Sequence, residues 1–456
     1  AQAFFGGVHP HDMKAATNEK AIEQLAPPAV VVIPMSMHFG APCTPLVKAG
    51  DHVKVGQKIG EFHGLGAPIH ASVSGTVKAV EPRPYSMGGN ITSVVIENDM
   101  QDEVSEEVQA PADPNALSVE EMVEIVKNAG IVGMGGATFP THVKITSGIG
   151  KVNTVIINGA ECEPYITGDH RTMLERPEEI IGGAKFLAKM FGVDKVVIGV
   201  EDNKRNGIDA MNKVIAEQKA PVVVEPLRCR YPQGGEKQLC QAITGRQVPP
   251  GGLPADIGCA VFNINTTCAI YRALTTGMPV VRKIVTVSGS GVVEPKNLEC
   301  PIGTPVSSLL DACGGLKDGT YKLIAGGPMM GMAQYTADIS VAKGTGAILA
   351  FCENEEKTVE NPQCIRCGKC VSVCPMHLEP LFMYQYASKG MVEELNDAHI
   401  MDCMECGACS YICPARMHLT HMFKTGKQLV KDKAAADRAA AEAKKKAEEA
   451  KEAAAK

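Results

Sequence analysis

Over the first hundred residues of this 456-residue chain, short runs of apolar and β-branched residues alternate with glycine-rich turns. Such runs predict short β-strands. Residues 47–59 and 67–77 share a similar pattern of strand and turn, and residues 61–66 between them form a predicted hairpin that contains no lysine. We therefore predict a small all-β domain over residues 1–100.

The pattern then changes from strands to a loop and a helix. Residues 101–117 are acidic and contain prolines, which predicts a connecting loop. Ser118 followed by Glu121 has the spacing of a capping box, and Gly130 is typical of a residue that ends a helix. A helix is therefore expected between Ser118 and Gly130.

From this helix to residue 280, predicted strands alternate with predicted helices. Residues 152–157 and 195–200 are short β-branched runs, and residues 178–191 between them have a helical pattern. That order predicts βαβ units and therefore a parallel sheet covered by helices. Such sheets bind ligands at the carboxyl ends of their strands. We assign residues 118–280 to this α/β domain.

Three regions complete the chain. Residues 283–355 combine strands, a glycine-rich turn and a short helix, which predicts a small α+β domain, and residues 361–420 form a cysteine-rich domain. Residues 424–456 are almost entirely Ala, Lys, Glu, Asp and Arg, so we expect an exposed, charge-paired helical tail or a frayed one. The predicted fold class is multidomain, with α/β and α+β parts.

Composition and charge exclude some classes of function. The net charge of −6 gives no sign of nucleic-acid binding. The chain contains no run of 18 apolar residues, so we expect no direct membrane span. The first 30 residues lack the features of a secretion signal, which favours the cytosol.

The most specific chemical signal is a pair of cysteine runs near the C-terminus. Both have the spacing C-x2-C-x2-C-x3-C-P: Cys364, Cys367, Cys370 and Cys374, then Cys403, Cys406, Cys409 and Cys413. This spacing predicts two [4Fe–4S] clusters, with the fourth cysteine of each run bound to the other cluster. One predicted ligand set is therefore Cys364, Cys367, Cys370 and Cys413. The other is Cys403, Cys406, Cys409 and Cys374. Zinc ribbons and disulfides are the alternatives, but neither is typical of this spacing.

Three patches of the α/β domain carry candidate ligand-binding chemistry. Residues 133–140 are glycine-rich and precede Lys144, and adjacent glycines let backbone N–H groups approach a phosphate. Residues 158–164 follow the carboxyl end of a predicted strand, where parallel sheets bind their ligands. The third patch comprises residues 234–239 and 263–267. Each patch by itself also fits a structural turn, a helix cap or an exposed acidic loop.

In this order, the patches resemble the flavin-binding 51 kDa subunit of respiratory complex I. The shared motifs are G-x-G-G-x-x-F-P-x-x-x-K, N-x-x-E-x-E-P and a helix start that contains G-E. The resemblance implies an FMN site formed by Gly133, Gly135, Gly136, Lys144, Asn158, Glu161, Glu236, Asn263, Asn265 and Thr266. It also implies NAD(H) contacts from Phe139 and Glu163. The chain departs from that family at Met134, where the family has arginine, and at Lys237, where it has a second glutamate.

The order of all the regions resembles the C subunit of the Rnf complexes. The N-terminal motifs G-G-V-H-P-H, H-F-G-A-P and A-P-I-H belong to a region similar to a barrel-sandwich hybrid domain. Residues 283–355 are similar to the β-grasp module that binds soluble ligands (SLBB), and residues 361–420 to two-cluster ferredoxins. The resemblance implies an NADH-oxidising or NAD-reducing module that uses FMN and two [4Fe–4S] clusters. No acid or base is needed for hydride transfer, so we assign no catalytic residue.

The same resemblance implies partners and a location. The partners are NAD(H) and the other subunits of a membrane-bound complex, including an iron–sulfur subunit that exchanges electrons with ferredoxin, with coupling to ion transport. The implied location is peripheral, on the cytoplasmic face of the bacterial inner membrane. Three alternatives remain at this point: a cobalamin reductase of a microcompartment, a hydrogenase-linked diaphorase, and a non-enzymatic electron conduit.

Overall fold

The computed structural model describes residues 4–353 and 359–455, with side chains up to residue 446. The described chain divides into two compact units. The first is formed by residues 9–353, and the second by residues 4–8 together with residues 359–455. The second unit therefore contains the cysteine-rich region and a short piece of the N-terminus.

The N-terminal domain is all-β, as predicted. Its strands are short: β1 (Glu23–Gln24), β2 (Val30–Pro34), β3 (Thr44–Pro45), β4 (His52–Val53), β5 (Lys58–Glu61), β6 (Ile69–His70), β7 (Gly75–Pro84) and β8 (Asn90–Asn98). Strands β2 to β8 form a four-stranded antiparallel sheet in the order β2-β8-β7-β4 and a three-stranded sheet in the order β3-β5-β6. Residues 101–117 connect this domain to the next one without a helix.

Residues 4–25, which lie within the predicted domain of residues 1–100, take no part in these two sheets. Residues 4–8 belong to the second unit. Lys14 donates hydrogen bonds to backbone carbonyls of the central domain. β1 pairs in parallel with a strand at residues 296–301 of the third domain. Backbone pairing and one buried lysine therefore tie residues 14–24 to the central and third domains.

The central domain has the predicted α/β order. Its helices and strands are α1 (Val119–Asn128), α2 (Thr141–Gly148), β9 (Thr154–Gly159), α3 (Gly168–Glu175), α4 (Pro177–Phe191), β10 (Val196–Glu201), α5 (Arg205–Gln218), β11 (Val222–Leu227), α6 (Glu236–Thr244), β12 (Cys259–Asn263) and α7 (Ile264–Thr276). All pairings in the sheet β11-β10-β9-β12 are parallel. The predicted capping box of Ser118 and Glu121 is present at the start of α1.

The third domain is the predicted α+β unit. It contains β13 (Arg282–Ser288), β14 (Lys296–Pro301), α8 (Val306–Ala312), β15 (Thr320–Ala325), β16 (Met332–Gln334) and β17 (Ala347–Cys352). Its six-stranded sheet has the order β1-β14-β13-β17-β15-β16, so a strand from the N-terminal segment forms one edge. Together, these domains confirm the predicted fold class.

The second unit is helical. Its helices are α9 (Lys369–Ser372), α10 (Pro380–Lys389), α11 (Val392–Asp397), α12 (Ala408–Ile412) and α13 (Leu419–Ala455). The tail prediction needs a correction, because α13 begins at Leu419 rather than after Phe423. Phe423 and Val430 are buried in the core of this unit, and only residues 431–446 are exposed throughout. Apolar side chains at helical spacing therefore anchor the start of the charged helix.

Candidate functional site

A topological switch point lies in the parallel sheet of the central domain. β9 has β10 on one side and β12 on the other. After β9 the chain adds β10 and β11 on one side, and it then returns to the opposite side to form the edge strand β12. Ligands of open α/β sheets bind in the crevice at the carboxyl ends of strands at such a point. Asn158 and Asn263, both predicted site residues, are register partners at these strand ends. The sheet topology therefore brings together two residues that are far apart in the sequence.

The glycine-rich loop lies against this crevice. The backbone N–H of Met134 donates to Thr266 Oγ1 at 2.9 Å, and Thr266 Oγ1 donates to the Val132 carbonyl at 3.2 Å. A Cβ at Gly135 would lie 2.7 Å from Asn263 Nδ2, whereas a Cβ at Gly136 would meet no protein atom within 4 Å. Gly135 is therefore required for packing, while the space beside Gly136 is open to a ligand.

A cation and two helix starts border the same crevice. Lys144 Nζ lies 2.7 Å from Glu236 Oε1 and donates to the Val261 carbonyl at 2.9 Å. Glu236 is the first residue of α6. Asn263 caps α7, because its side chain accepts hydrogen bonds from Asn265 N and Thr266 N. Helix N-termini and a lysine form an environment suited to a phosphate.

One buried donor beside the crevice lacks a partner. Asn158 Nδ2 donates to the Gly234 carbonyl at 2.8 Å, and the preceding residue, Gln233, is buried. Among the described residues, Gln233 Nε2 has no hydrogen-bond partner. Because buried polar atoms are normally satisfied, this nitrogen marks a place that a ligand acceptor would complete. The glycine loop, the lysine and this donor together fit a phosphate-bearing flavin.

Glu161 and Glu163 lie in the loop between β9 and α3, named here the acidic loop (residues 160–167). Their carboxylates are bonded within the protein rather than free. Glu161 has a left-handed backbone (φ 47°), and its carboxylate accepts the backbone N–H of Asp169 at 2.6 Å and that of His170 at 3.3 Å. It thereby satisfies the N-terminus of α3. Burial raises the pKa of Glu161 to about 7, although the nearby Lys14 opposes the shift.

Glu163 is held by the third domain. Its carboxylate accepts the backbone N–H groups of Met329 at 3.1 Å and Met330 at 3.0 Å, from the loop between β15 and β16. Burial raises the pKa of Glu163 to about 7, and these two hydrogen bonds act against the shift. A Cβ at Gly327 would lie 2.2 Å from Glu163 Oε2, so the loop packs tightly on this carboxylate.

Sequence reasoning missed Lys14. Its ammonium donates to the carbonyls of Glu161 at 2.9 Å and Glu163 at 3.0 Å, and also to that of Ile166. The side chain is 5% exposed and lies 3.8 Å from the Glu161 carboxylate. Burial lowers the pKa of Lys14, and Glu161 counteracts that shift. Because 147 positions separate Lys14 from Glu161, no local motif could reveal the contact.

Asp169 is the second residue that sequence reasoning missed. Its carboxylate accepts hydrogen bonds from Asn263 Nδ2 at 2.7 Å and Asn265 Nδ2 at 2.5 Å. Burial raises its pKa, and the charge of Lys283 opposes that shift. Lys283 Nζ in turn donates to the Met134 carbonyl at 3.1 Å, and burial lowers the pKa of Lys283 to about 8. Asp169 therefore orients Asn263 and Asn265, two of the three asparagines of the predicted flavin site.

Phe139 and Gly133 lie at the outer end of the glycine loop. The backbone N–H of Gly133 donates to the Phe139 carbonyl at 3.0 Å. The Phe139 ring lies 6.1 Å from that of Phe39, which is 57% exposed. The structure thus brings all twelve predicted FMN and NAD(H) residues into the central domain, around the glycine loop, the strand ends and the acidic loop.

The second unit contains two cavities lined by cysteine. The first, named here the open cavity, is lined by Cys364, Cys367, Cys370 and Cys413. The second, named here the covered cavity, is lined by Cys403, Cys406, Cys409 and Cys374. Each cavity therefore takes three cysteines from one run and the fourth from the other run. This is the grouping predicted from the spacing.

The two cysteine loops have the same backbone conformation. Arg366 and Glu405, at equivalent positions, have φ values of 55° and 56°, and Gly368 and Gly407 have values of 74° and 78°. The N–H of Arg366 donates to Cys364 Sγ at 3.3 Å, and that of Glu405 to Cys403 Sγ at 3.4 Å. Backbone donors aimed at cysteine sulfur are among the groups that tune iron–sulfur clusters.

The cavity walls suit a cluster rather than a single ion. Within the described residues, no group of three His, Cys, Asp or Glu side chains could hold one metal ion. The covered cavity has apolar walls that include Leu378, Met383 and Phe423. Burial raises the pKa of Cys403 to about 11. A thiol that coordinates a metal is deprotonated. The eight cysteines therefore fit two polynuclear clusters.

Comparison with protein families agrees with this geometry. Four family models match consecutive parts of the chain: the RnfC barrel sandwich hybrid domain (residues 2–101), the Nuo51 FMN-binding domain (126–272), the SLBB domain (284–333) and the 4Fe-4S dicluster domain (356–414). These matches confirm the expectation of FMN and two [4Fe–4S] clusters. The fold and its sites thus define a flavin- and iron–sulfur-binding electron-transfer protein.

Curated relatives cover most of the chain. It is 45% identical over 401 residues to the C subunit of the Na(+)-translocating ferredoxin:NAD(+) oxidoreductase complex of Acetobacterium woodii, and the match covers 88% of this chain and 90% of that protein. It is 43% identical over 400 residues to the C subunit of the proton-translocating ferredoxin:NAD(+) oxidoreductase complex of Clostridium ljungdahlii, with 87% of each chain covered. The chain belongs to the family formed by the C subunits of the ion-translocating ferredoxin:NAD(+) oxidoreductase, or Rnf, complexes.

Two further findings complete the comparison. A solved NAD+-reducing [NiFe]-hydrogenase in the H2-reduced state is similar with a TM-score of 0.48 and 18% identity, over 70% of this chain and 64% of that chain. In the part of the chain that the structure describes, no helix has both the length and the apolar character needed to cross a membrane.

Proposed function

We propose that this chain passes electrons between NAD(H), FMN and two [4Fe–4S] clusters as one subunit of an ion-translocating complex. Partner subunits couple these steps to ferredoxin and to ion transport. The observation that supports this function best is that one chain contains both a flavin-type crevice at a sheet switch point and two cavities with four cysteines each. Bound FMN supplies the conversion between the two-electron chemistry of NAD(H) and the one-electron chemistry of the clusters.

The FMN contacts are assigned to the residues around the crevice. The glycine loop offers backbone N–H groups, Lys144 offers positive charge, and Asn158, Glu236 and Asn263 line the remaining sides. The complete set is Gly133, Gly135, Gly136, Lys144, Asn158, Glu161, Glu236, Asn263, Asn265 and Thr266. Asp169 and Lys283 act indirectly, because they orient the two asparagines and the glycine loop.

The NAD(H) contacts are assigned to Phe139 and Glu163. Phe139 offers a ring face at the outer end of the glycine loop. The Glu163 carboxylate already accepts two backbone N–H groups from the β15–β16 loop, so a nucleotide hydroxyl would have to share or replace one of them. Lys14 keeps the acidic loop in place while this exchange occurs. These groups orient the substrate, and hydride transfer requires none of them as an acid or base.

The clusters are assigned to the two cavities. Cys364, Cys367, Cys370 and Cys413 would hold one cluster in the open cavity. Cys403, Cys406, Cys409 and Cys374 would hold the other in the covered cavity. We place the chain at the periphery of the complex, on the cytoplasmic face of the bacterial inner membrane, where NAD(H) is available. An iron–sulfur subunit that exchanges electrons with ferredoxin is the proposed partner.

The test is an anaerobic reduction of the full chain. The purified protein is reconstituted with FMN and iron–sulfur, mixed with NADH, and followed at the absorbance bands of flavin and clusters. Rapid flavin bleaching followed by cluster bleaching is the expected result. If NADH leaves both bands unchanged while dithionite still reduces the clusters, the NADH site is refuted and an electron conduit with another donor remains.

A second test locates the flavin. Gly136→Ala adds a methyl group where no protein atom lies within 4 Å, so it leaves the apo fold intact but obstructs a phosphate in that space. We expect at least tenfold weaker FMN binding, measured by flavin fluorescence quenching. Gly346→Ala is the matched control, because its Cβ also meets no protein atom within 4 Å and it lies in the third domain. Equal FMN affinity in both variants would exclude FMN from the space beside Gly136.

A further inference from the structure

The two cysteine loops share a conformation but differ in exposure. Cys364 and Cys367 of the open cavity are exposed, whereas Cys406 and Cys409 of the covered cavity are buried. Leu378, Met383 and, from α13, Phe423 line the covered cavity. The cysteine ligands of a cluster in the open cavity would therefore be more exposed than those of a cluster in the covered cavity.

The charges at equivalent positions also differ. The position of Arg366 in the first loop is occupied by Glu405 in the second, and that of Lys369 by Ala408. Glu405 is neutralised by Lys427, whose ammonium lies 2.7 Å from its carboxylate and also binds the Cys403 carbonyl. Arg366 and Lys369 are both exposed, and within residues 359–446 neither forms an ion pair.

Apolar side chains accompany these two cations. Ile365 is 68% exposed and Val371 is 38% exposed, although both are β-branched residues that normally prefer burial. Apolar side chains next to unpaired charge are typical of a surface that a partner covers. The equivalent positions in the second loop, Met404 and Ser410, are half-buried, and Ser410 Oγ accepts the backbone N–H of Thr420 of α13 at 3.0 Å.

We propose that residues 364–371 form the docking surface through which the open-cavity cluster exchanges electrons with an acidic protein partner. The inference rests on the proposed function, because it requires a cluster in this cavity. In each exchange, one electron leaves the reduced cluster and reduces the partner's redox centre, or the reverse. An acidic partner is favoured because two unpaired cations stand out on a chain with a net charge of −6. Opposite charges steer the encounter and raise its rate.

The experiment measures electron exchange with two small redox probes of opposite charge. The full chain with both clusters is reduced by dithionite, freed of excess reductant, and mixed in a stopped-flow device with one equivalent per cluster of either ferricyanide or hexaamminecobalt(III). Each probe accepts one electron from a reduced cluster. Because dithionite is the donor, the measurement succeeds or fails independently of NADH oxidation and of the flavin.

The key variant is the double charge reversal Arg366→Glu with Lys369→Glu. At low ionic strength we expect about tenfold slower oxidation by ferricyanide and faster oxidation by hexaamminecobalt(III), a size typical of electrostatic steering. High salt should remove both differences. Lys389→Glu is the matched control, since it changes an exposed cation at the end of α10 that lines neither cavity.

Two outcomes overturn the proposal. One is a rate change in Lys389→Glu that is half as large on a logarithmic scale, in proportion to its charge change of −2 against −4 for the double variant, which would mean that only total charge matters. The other is unchanged ferricyanide kinetics in the double variant. If the double variant does not load its clusters, Arg366→Gln with Lys369→Gln replaces it, and the expected effect is smaller but has the same direction.

A measurement without turnover completes the test. An anionic dysprosium chelate shortens the spin relaxation of nearby paramagnetic centres, so microwave power saturation of the reduced clusters reports how closely an anion approaches. We expect relaxation enhancement in the natural protein and in Lys389→Glu, and at least a threefold smaller enhancement in the double variant. Equal enhancement in all three proteins would refute an anion-attracting surface at this loop.

Discussion

Buried charges surround the crevice of the central domain, whereas thiols and apolar side chains line the two cavities of the second unit. Lys14, Glu161, Asp169 and Lys283 are each largely buried and bonded to one another or to backbone groups around the crevice. The cavities contain cysteines whose thiols have few partners apart from backbone N–H groups. Contacts within the protein thus neutralise the buried charges around the crevice, whereas the cysteine sulfurs of the cavities are suited to bind a metal cluster.

This difference predicts how each region responds when its key groups are lost. A preformed polar network stores stability in the folded protein, and removing one charge leaves its partner unsatisfied. A cysteine cavity gains its stability from metal binding, because binding free energy becomes folding free energy. Mutations in the crevice should therefore lower the stability of the apo protein, and mutations in the cavities should lower metal content.

The largest expected effect is the loss of one whole cluster. Cys406→Ala should lower the iron content from about eight to about four atoms per chain, since each cubane needs its cysteine ligands. Iron analysis and cluster absorbance measure the change. Cys313→Ser, at a buried thiol of the third domain, is the control and should leave the iron content unchanged. A full iron complement in Cys406→Ala would contradict the ligand assignment.

The next effect concerns the buried lysine. Lys14→Met removes the cation that binds three carbonyls and faces Glu161, so it should lower the free energy of unfolding by about 3–5 kcal/mol. Urea denaturation followed by circular dichroism measures this in the apo protein. Lys20→Met changes an exposed lysine six positions later and should have an effect within about 0.5 kcal/mol. Similar losses in both variants would mean that the Lys14 network contributes little.

A smaller effect depends on pH. The pKa of Glu163 is raised from 4.5 to about 7 in the folded protein. The folded state therefore binds this proton more tightly, and the associated stability is full below pH 4.5 and declines as the pH rises to about 7. Glu163→Gln should remove up to about 3 kcal/mol of this pH dependence.

Urea unfolding at a series of pH values measures the slope for Glu163. Glu217→Gln, an exposed carboxylate on α5, should leave the slope unchanged. The raised pKa of Glu161 acts in the same direction, so some slope should remain in Glu163→Gln. Identical slopes in all three proteins would show that Glu163 ionises normally in the folded chain.

The smallest effect tests the N-terminal segment of the second unit. Gly6 has a φ of 74°, and a Cβ there would lie 2.7 Å from the Val373 carbonyl oxygen and 2.9 Å from that of Cys374. An alanine in the left-handed region ordinarily lowers the free energy of unfolding by roughly 1–2 kcal/mol, and Gly6→Ala should lower it by more than that. It should also alter the signal of the covered cluster, to which Cys374 is assigned.

Gly390→Ala separates the cost of a left-handed backbone from the cost of the steric contacts that Gly6→Ala introduces. Gly390 has a φ of 66°, and its Cβ would meet no atom within 4 Å, so this variant has only the backbone cost. Thermal unfolding and the redox titration of the clusters measure both variants. Equal stability and equal titration curves would mean that residues 4–8 do not position Cys374.

Local patterns were sufficient to predict several parts of the molecule. The capping box at Ser118 involves residues three positions apart, and the cysteine runs fold as tight loops. The alternation of β-branched and helical segments predicted the parallel sheet of the central domain. Its strand β9 begins at Thr154 rather than at residue 152, because Thr154 is the first residue that pairs with the neighbouring strand β12.

Other parts could not be predicted because they depend on distant contacts. Lys14 and Asp169 had no motif around them, and both become important only when the acidic loop folds against them. The composition of residues 424–456 predicts an exposed tail, yet Val430 and the preceding Phe423 are buried in the core of the second unit, against residues distant in sequence such as Cys374. The carboxylates of Glu161 and Glu163 were expected to face a ligand, but the structure bonds both to backbone N–H groups.

The sequence by itself determined the chemistry of this protein: which cysteines share a cavity, where the glycine loop lies, and the order of its domains. Those features depend on spacing along the chain, and backbone geometry converts spacing directly into local structure. Only the tertiary structure decided which cysteine loop is exposed, which charges are neutralised and which lysine supports the acidic loop. Burial and ion pairing depend on what packs against a residue, and that information is distributed over the whole fold.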